Sequence, residues 1–265
     1  MLKVCISGAT GWTGKELVRG VVAASDLQLV SAVARQTAGT DIGAAIGDAV
    51  VGVTVTDSLA DALDLGCDVL IDYTHPDQRI NHTLLALSHR IPVVLGTTGL
   101  SAAEIEEIDI AARTAGVGVV TGNFSLTAAL AQHFALFAAQ HIDRFEIIDY
   151  AKADKPDSPS GTAGELAELL GDIRQPTLDI AIADTHGPDS IRGATVNGVQ
   201  VHAVRLPSYT LAVESIFAQQ DERLVIRHEA GGSAVPYVFG TLLAARKIPQ
   251  IVGVVRGLDK LLFTD

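Results

Sequence analysis

LKVCISGATGWTGKELVRGVVAA, residues 2–24, decides the architecture. Leu2–Ser7 is a short apolar run of strand length. From Gly14 to Ala24 the apolar residues Leu17, Val18, Val21 and Val22 recur on one face of a helix. Between them lies Gly8-Ala9-Thr10-Gly11-Trp12-Thr13-Gly14, with glycine at every third position. Glycine lets the backbone turn tightly and come close to a pyrophosphate. The helix that follows offers free N–H groups and the positive end of its dipole. A glycine triplet between a strand and a helix therefore predicts a dinucleotide site. Its contacts are expected from Gly8, Thr10, Gly11, Thr13 and Gly14, with Trp12 as a wall of the cleft.

The same alternation continues outward. Leu27–Ala34, Val69–Asp72, Pro92–Leu95 and Val117–Thr121 read as strands, and Ile80–His89 reads as a helix. Ser101 with Glu104 three residues on is a capping box. Strands alternating with helices predict a parallel sheet covered on both faces. In such a sheet the carboxyl ends of the strands face the ligand. Three loops fall there: Asp72-Tyr73-Thr74-His75-Pro76, Gly96-Thr97-Thr98-Gly99 and Gly122-Asn123-Phe124-Ser125. Thr74, Gly96, Thr97, Thr98, Asn123 and Phe124 are thus expected around a nicotinamide. The second strand ends in Val33-Ala34-Arg35-Gln36-Thr37, without the acid that grips an unphosphorylated ribose. The planar fork of Arg35 suits a 2′-phosphate, which predicts NADPH as cofactor with NADH still possible.

Beyond Asn123 the character changes. Leu126–Ala139 is a long apolar helix and Phe145–Tyr150 a strand. From Gln200 onward come three strand-like stretches with hairpin turns, and a helix follows over Val235–Ala245. The expected fold is α/β: an amino-terminal Rossmann domain, residues 1–125 with 237–265, and an α+β domain, residues 126–236, with a mostly antiparallel sheet. Asp184–Asn197 is polar and reads as a surface loop. Ahead of the helix over Gly164–Leu170 stands Lys155-Pro156-Asp157-Ser158-Pro159-Ser160-Gly161-Thr162-Ala163. It gathers an ammonium, two hydroxyls and a flexible amide where a helix begins, a donor set for a small anion. Asp154 and Asp157 read as loop and cap residues. Together the two sites predict an enzyme that brings a reduced nicotinamide to a small carboxylated substrate.

Composition narrows the alternatives. The 265 residues are 48% hydrophobic and carry a net charge of −12, so neither nucleic acid nor an anionic membrane is expected as partner. Cys5 and Cys67, set in apolar patterns, read as buried thiols, and no metal-ligand spacing accompanies them. With no leader and no spanning apolar run, the chain reads as cytoplasmic. His133, His141, His186, His202 and His228 show no constellation and read as surface or core residues. His75 lies on an edge loop.

GATGWTG, DYTHP, GTTG, GNFS and KPDSPSGTA, with the tail VHAVRLPSYTLAVESIFAQQDERLVIRHEA, resemble the dihydrodipicolinate reductase family in order and spacing over nearly the whole chain. The resemblance implies a homotetramer and hydride transfer from NAD(P)H to a cyclic dicarboxylate on the path to lysine and diaminopimelate. It implies that Lys155 is the catalytic-site lysine and that Ser160, Gly161 and Thr162 bind the substrate carboxylate. One departure stands out. The family histidine thought to donate a proton falls on Ala151, and a second, substrate-contacting histidine falls on Lys152. Three readings follow: Lys155, Lys152 or Tyr150 donates the proton; water does; or the substrate differs. An amino-acid dehydrogenase and a non-catalytic NADPH-binding protein are the further alternatives.

Overall fold

The computed structural model describes residues 1–97 and 99–263, with Asp189 described by its backbone alone. The chain forms two compact units, Met1–Ala129 with Ser233–Asp265, and Leu130–Gly232.

The first unit is a seven-stranded sheet. Its strands are β1 (Leu2–Ser7), β2 (Leu27–Val33), β3 (Val55–Thr56), β4 (Val69–Asp72), β5 (Val93–Leu95), β6 (Gly118–Thr121) and β12 (Gly253–Arg256). They run in the order β12-β6-β5-β4-β1-β2-β3, and every pair is parallel. Parallel strands are buried on both faces, which is why they read as unbroken apolar runs rather than alternating ones. Val4, Ile6, Val69, Ile71, Val94 and Val120 pack in a cluster with α1 (Gly14–Ala23) and α8 (Pro236–Lys247). Cys5, Leu70, Val93, Leu95 and Val119 pack in a second cluster with α3 (Leu59–Asp64), α4 (Arg79–Ser88) and α5 (Ala102–Ala115). The short α2 (Ile42–Ala45) and α9 (Asp259–Leu262) complete the unit. Ser101 and Glu104 form the capping box of α5, as the spacing predicts, and Gly116 closes that helix in the left-handed region. Cys5 and Cys67 are buried and unbridged.

The second unit is a five-stranded sheet of β7 (Phe145–Ala151), β8 (Ala194–Val196), β9 (Val199–Arg205), β10 (Leu211–Gln219) and β11 (Glu222–Ala230), in the order β11-β10-β7-β9-β8. It is mostly antiparallel, with β7 and β9 parallel. Along β7 buried and half-buried residues alternate. Phe145 and Ile147 turn to a core built with α6 (Leu126–His141) and α7 (Gly161–Ile173), while Glu146, Ile148 and Tyr150 turn to the other face. The polar stretch 184–197 is not wholly a loop. It contains β8, which pairs with β9, because Thr195 and Val196 continue a hairpin through Asn197-Gly198. No helix among the described residues is long and apolar enough to cross a membrane.

Candidate functional sites

In the first unit β1 and β4 lie side by side while the chain continues outward in opposite directions from them, so the crevice at their carboxyl ends is the topological switch point. The glycine loop sits at that edge. Gly8 has φ +78°, and a Cβ there would lie 2.7 Å from the carbonyl oxygen of Tyr73. A Cβ on Gly14 would fall 2.0 Å from the carbonyl oxygen of Gly8. The loop is closed by the Gly11 N–H, which donates to Gly8 O at 2.9 Å. Thr13 stands at the N-cap of α1 without a side-chain cap. The N–H groups of Trp12, Thr13 and Gly14 have no acceptor among the described residues. Unspent amides at the start of a ten-residue helix are what a pyrophosphate requires, so this loop fits a dinucleotide. Trp12 is 54% exposed and stands edge-on to Tyr237 at 6.0 Å.

The neighbouring loops are tied to one another. Thr74 N–H donates to Asp72 Oδ1 at 2.8 Å, and the Thr97 hydroxyl donates to Thr74 O at 2.7 Å. Thr97 thus spends its proton on the scaffold and keeps its lone pairs. Thr98 lies outside the described residues. Gly96 lies under the Tyr73 ring, where a Cβ would come within 2.0 Å of it. The Tyr73 hydroxyl meets Thr241 Oγ1 at 2.7 Å, and burial holds its proton well above the usual phenol range. Asn123 Oδ1 accepts from the Ser125 N–H at 2.9 Å, an Asx turn. Phe124 is buried against Tyr73, so only its backbone can face a cofactor. Arg35 is exposed at the end of β2 with no ion pair among the described residues. Sequence reasoning missed His82, whose Nδ1 lies 3.1 Å from buried Asp72 and 3.3 Å from Ser7 Oγ.

In the second unit the anion phrase folds against β7. Ser160 is the N-cap of α7 and accepts from the Ala163 N–H at 3.3 Å. It is buried, and its own hydroxyl donates to Asp149 Oδ1 at 2.7 Å. Its hydroxyl therefore fixes the loop. The donors left for an anion are the N–H groups of Gly161 and Thr162 and the Thr162 hydroxyl, which have no partner among the described residues. A Cβ on Gly161 would meet nothing within 4 Å, so this helix start is open. Lys155 Nζ lies 2.8 Å from Asp157 Oδ1, and the ammonium holds the Asp157 carboxyl below the usual carboxylate range. Asp157 is thus an ion-pair partner, with the cap supplied by Ser160. Lys152 reaches solvent, 3.4 Å from Asp154. Ala151 is fully buried. Tyr150 stacks on Tyr209 at 5.1 Å under the Arg227 guanidinium at 4.6 Å, on the sheet face opposite Asp149.

Residues 2–124 match the family model described as dihydrodipicolinate reductase, N-terminus, and residues 124–262 match dihydrodipicolinate reductase, C-terminus. Among curated relatives, 4-hydroxy-tetrahydrodipicolinate reductase of Moorella thermoacetica is 37% identical over 263 residues, covering 98% of each chain. The protein of the same name from Desulfitobacterium hafniense is 35% identical over 264 residues, again covering 98% of each. Among solved structures, a dipicolinate-bound dihydrodipicolinate reductase from Paenisporosarcina sp. TG-14 superposes with a TM-score of 0.85 at 27% identity, covering 98% of this chain and 99% of that one. An amine dehydrogenase from Mycobacterium smegmatis shares the fold at a TM-score of 0.66 and 12% identity.

Proposed function

The chain belongs to the dihydrodipicolinate reductase family, and from that premise we propose that it reduces a small cyclic imine dicarboxylate of the 4-hydroxy-tetrahydrodipicolinate type with NADPH. It is a reductase with a nicotinamide cofactor. The observation that carries the substrate class is the pair of unspent amides at Gly161 and Thr162, at the start of α7 and in the same phrase of sequence as the Lys155 ammonium. Such a group suits a carboxylate: charge-assisted hydrogen bonds from an ammonium and from a helix start.

When bound, a reduced nicotinamide supplies hydride. The chain supplies the rest. The amides of Trp12, Thr13 and Gly14 take the pyrophosphate, and Arg35 takes the 2′-phosphate. Thr74, Gly96, Thr97, Thr98, Asn123 and the Phe124 backbone border the nicotinamide. Lys155, Gly161 and Thr162 hold the substrate carboxylate, with Ser160 fixing the loop and Lys152 adding positive charge at its rim. We assign residues 1–125 and 237–265 to the dinucleotide domain and 126–236 to the substrate domain. The protein is read as a cytoplasmic homotetramer. In support, edge strand β11 presents Leu224 and Val225 to solvent, a surface that assembly would cover.

Ala151 supports a second reading, a related unsaturated carboxylate as substrate, because alanine donates no proton. NADPH oxidation with 4-hydroxy-tetrahydrodipicolinate separates the two. Turnover at ordinary enzymatic rates, on the order of 1–10³ s⁻¹, is the result expected of the first, and no turnover refutes it.

A further inference from the structure

Adding hydride to a conjugated imine leaves negative charge on the substrate, and a proton must reach the atom that carries it. Position 151 cannot donate one. Tyr150 is on the wrong face of the sheet, and its hydroxyl is pushed up by burial and by Glu214. Asp149 is a buried acceptor for Ser160 and Arg205. Lys155 is engaged by Asp157 and Lys152 reaches solvent beside Asp154, which turns the search within the second unit to its histidines. His202 Nε2 is bound to Glu146 Oε2 at 2.7 Å on the face away from Asp149. His141 packs on Phe137 at the end of α6, and His186 is exposed in a bend between the two 3₁₀ turns that precede β8. His133 lies mid-way along α6 against Phe134.

His228 is different. On β11 it pairs with Val213 of β10, and Val213 pairs with Asp149 of β7. The three stand in one row across the sheet, and paired residues share a face. His228 is therefore on the face where Asp149 receives the start of α7. His228 stands about 10 Å from Asp149 along this row, two strand spacings, with buried Val213 between them. The adjoining row, Ala230, Leu211 and Ala151, carries no titratable group. On its own strand Ile226 shares its face, while Glu229 turns to the other with Glu214 and Arg227. The imidazole is half-buried and makes no hydrogen bond with a described residue.

Resting on the reductase reading above, we propose that His228 is the proton donor of this enzyme, facing the substrate held at Lys155, Gly161 and Thr162. A bound reduced nicotinamide would supply the hydride to the electrophilic carbon of the unsaturated bond. The bond's electron pair moves to the conjugated acceptor atom, and His228 protonates that atom. Solvent then reprotonates the His228 ring. Burial lowers the His228 pKa in the free protein, with Glu229 opposing. A dianionic substrate raises it and so charges the donor when it is needed.

The test uses the full-length protein and two readouts. In the first, NMR follows the ring titration of His228 with and without saturating dipicolinate. The ligand is expected to raise the pKa by about one unit or more. In the second, His228→Gln is expected to lower kcat roughly 100-fold, with dipicolinate and NADPH affinities within about threefold of wild type. In His228→Ala, added imidazole is expected to restore part of the loss. A ring that titrates identically with and without dipicolinate overturns the proposal, whatever the wild type turns over. So does a His228→Gln enzyme at wild-type kcat. A wild type inactive on 4-hydroxy-tetrahydrodipicolinate but with a ligand-shifted His228 would instead refute the substrate reading and leave the contact standing.

Discussion

Asp149 accepts from both the backbone N–H and the hydroxyl of Ser160, each at 2.7 Å, without any exposure to solvent. The same carboxylate takes Arg205 Nη2 at 2.7 Å, and that guanidinium also donates to Asp157 O at 2.8 Å. One buried charge therefore fixes both ends of the anion phrase. Replacing it strands Arg205. Asp149→Ala is expected to cost about 3–5 kcal/mol, the range for breaking a buried ion pair. Ser160→Ala removes the cap alone and is expected to cost about 1 kcal/mol. Urea unfolding of the two variants measures both, and equal losses would refute this hierarchy.

Much of the first unit is legible in the sequence because burial on both faces writes each strand as a continuous apolar run. β3 and β12 are not, because two and four residues at a sheet edge carry too little pattern. The glycine loop is readable because only glycine permits the geometry at Gly8 and Gly14. What Thr97 and Ser160 do with their hydroxyls is not readable: both are spent on partners 23 and 11 residues away. Phe124 reads as a loop residue by neighbourhood, yet its ring completes the core. The face of His228 was available from the alternation in Leu224, Ile226 and His228. Its alignment with Asp149 was not, since that depends on the register of three strands.

The glycine loop tolerates no side chain at position 14. A methyl group there meets Gly8 O at 2.0 Å, so the turn must open and the amides of Trp12 and Thr13 lose their aim. Gly14→Ala is expected to weaken NADPH binding at least tenfold, a loss of about 1.4 kcal/mol or more. Calorimetric titration of the purified variant decides it, and unchanged affinity would remove this loop from the cofactor site.

On the proposed reading Arg35 separates the two cofactors. If its guanidinium meets the 2′-phosphate, Arg35→Ala weakens NADPH and spares NADH. A hydrogen bond to a charged group contributes about 1.5–3 kcal/mol, so the loss for NADPH is expected to be roughly tenfold or more. Fluorescence titration with both nucleotides gives the comparison. A variant that loses affinity equally for both places Arg35 elsewhere than at the 2′-phosphate.

Lys155 is not free: its ammonium is paired. Asp157 holds it at 2.8 Å, and on the proposed reading a substrate carboxylate competes for the same ammonium. Lys155→Gln is expected to weaken dipicolinate binding about tenfold or more, through the lost charge-assisted hydrogen bond. Asp157→Asn acts in the opposite direction. It releases the ammonium, and the expected gain is small, about threefold, because the pair is half-exposed and screened. The pH dependence follows from the sign of the shift. Lys155 holds the Asp157 carboxyl below its ordinary value, so on the acid side the pair is complete above the usual carboxylate range and is lost as pH falls through the lowered value. Between pH 5 and 8 (approximate bounds from the ordinary Asp pKa of about 3.9) the advantage of Asp157→Asn is therefore expected to stay constant. It is expected to shrink in stronger acid, where the wild-type carboxyl protonates and frees Lys155 as well. Dipicolinate titrations of both proteins across that range make the comparison, and weaker binding by Asp157→Asn would mean that Asp157 aims the lysine rather than competing for it.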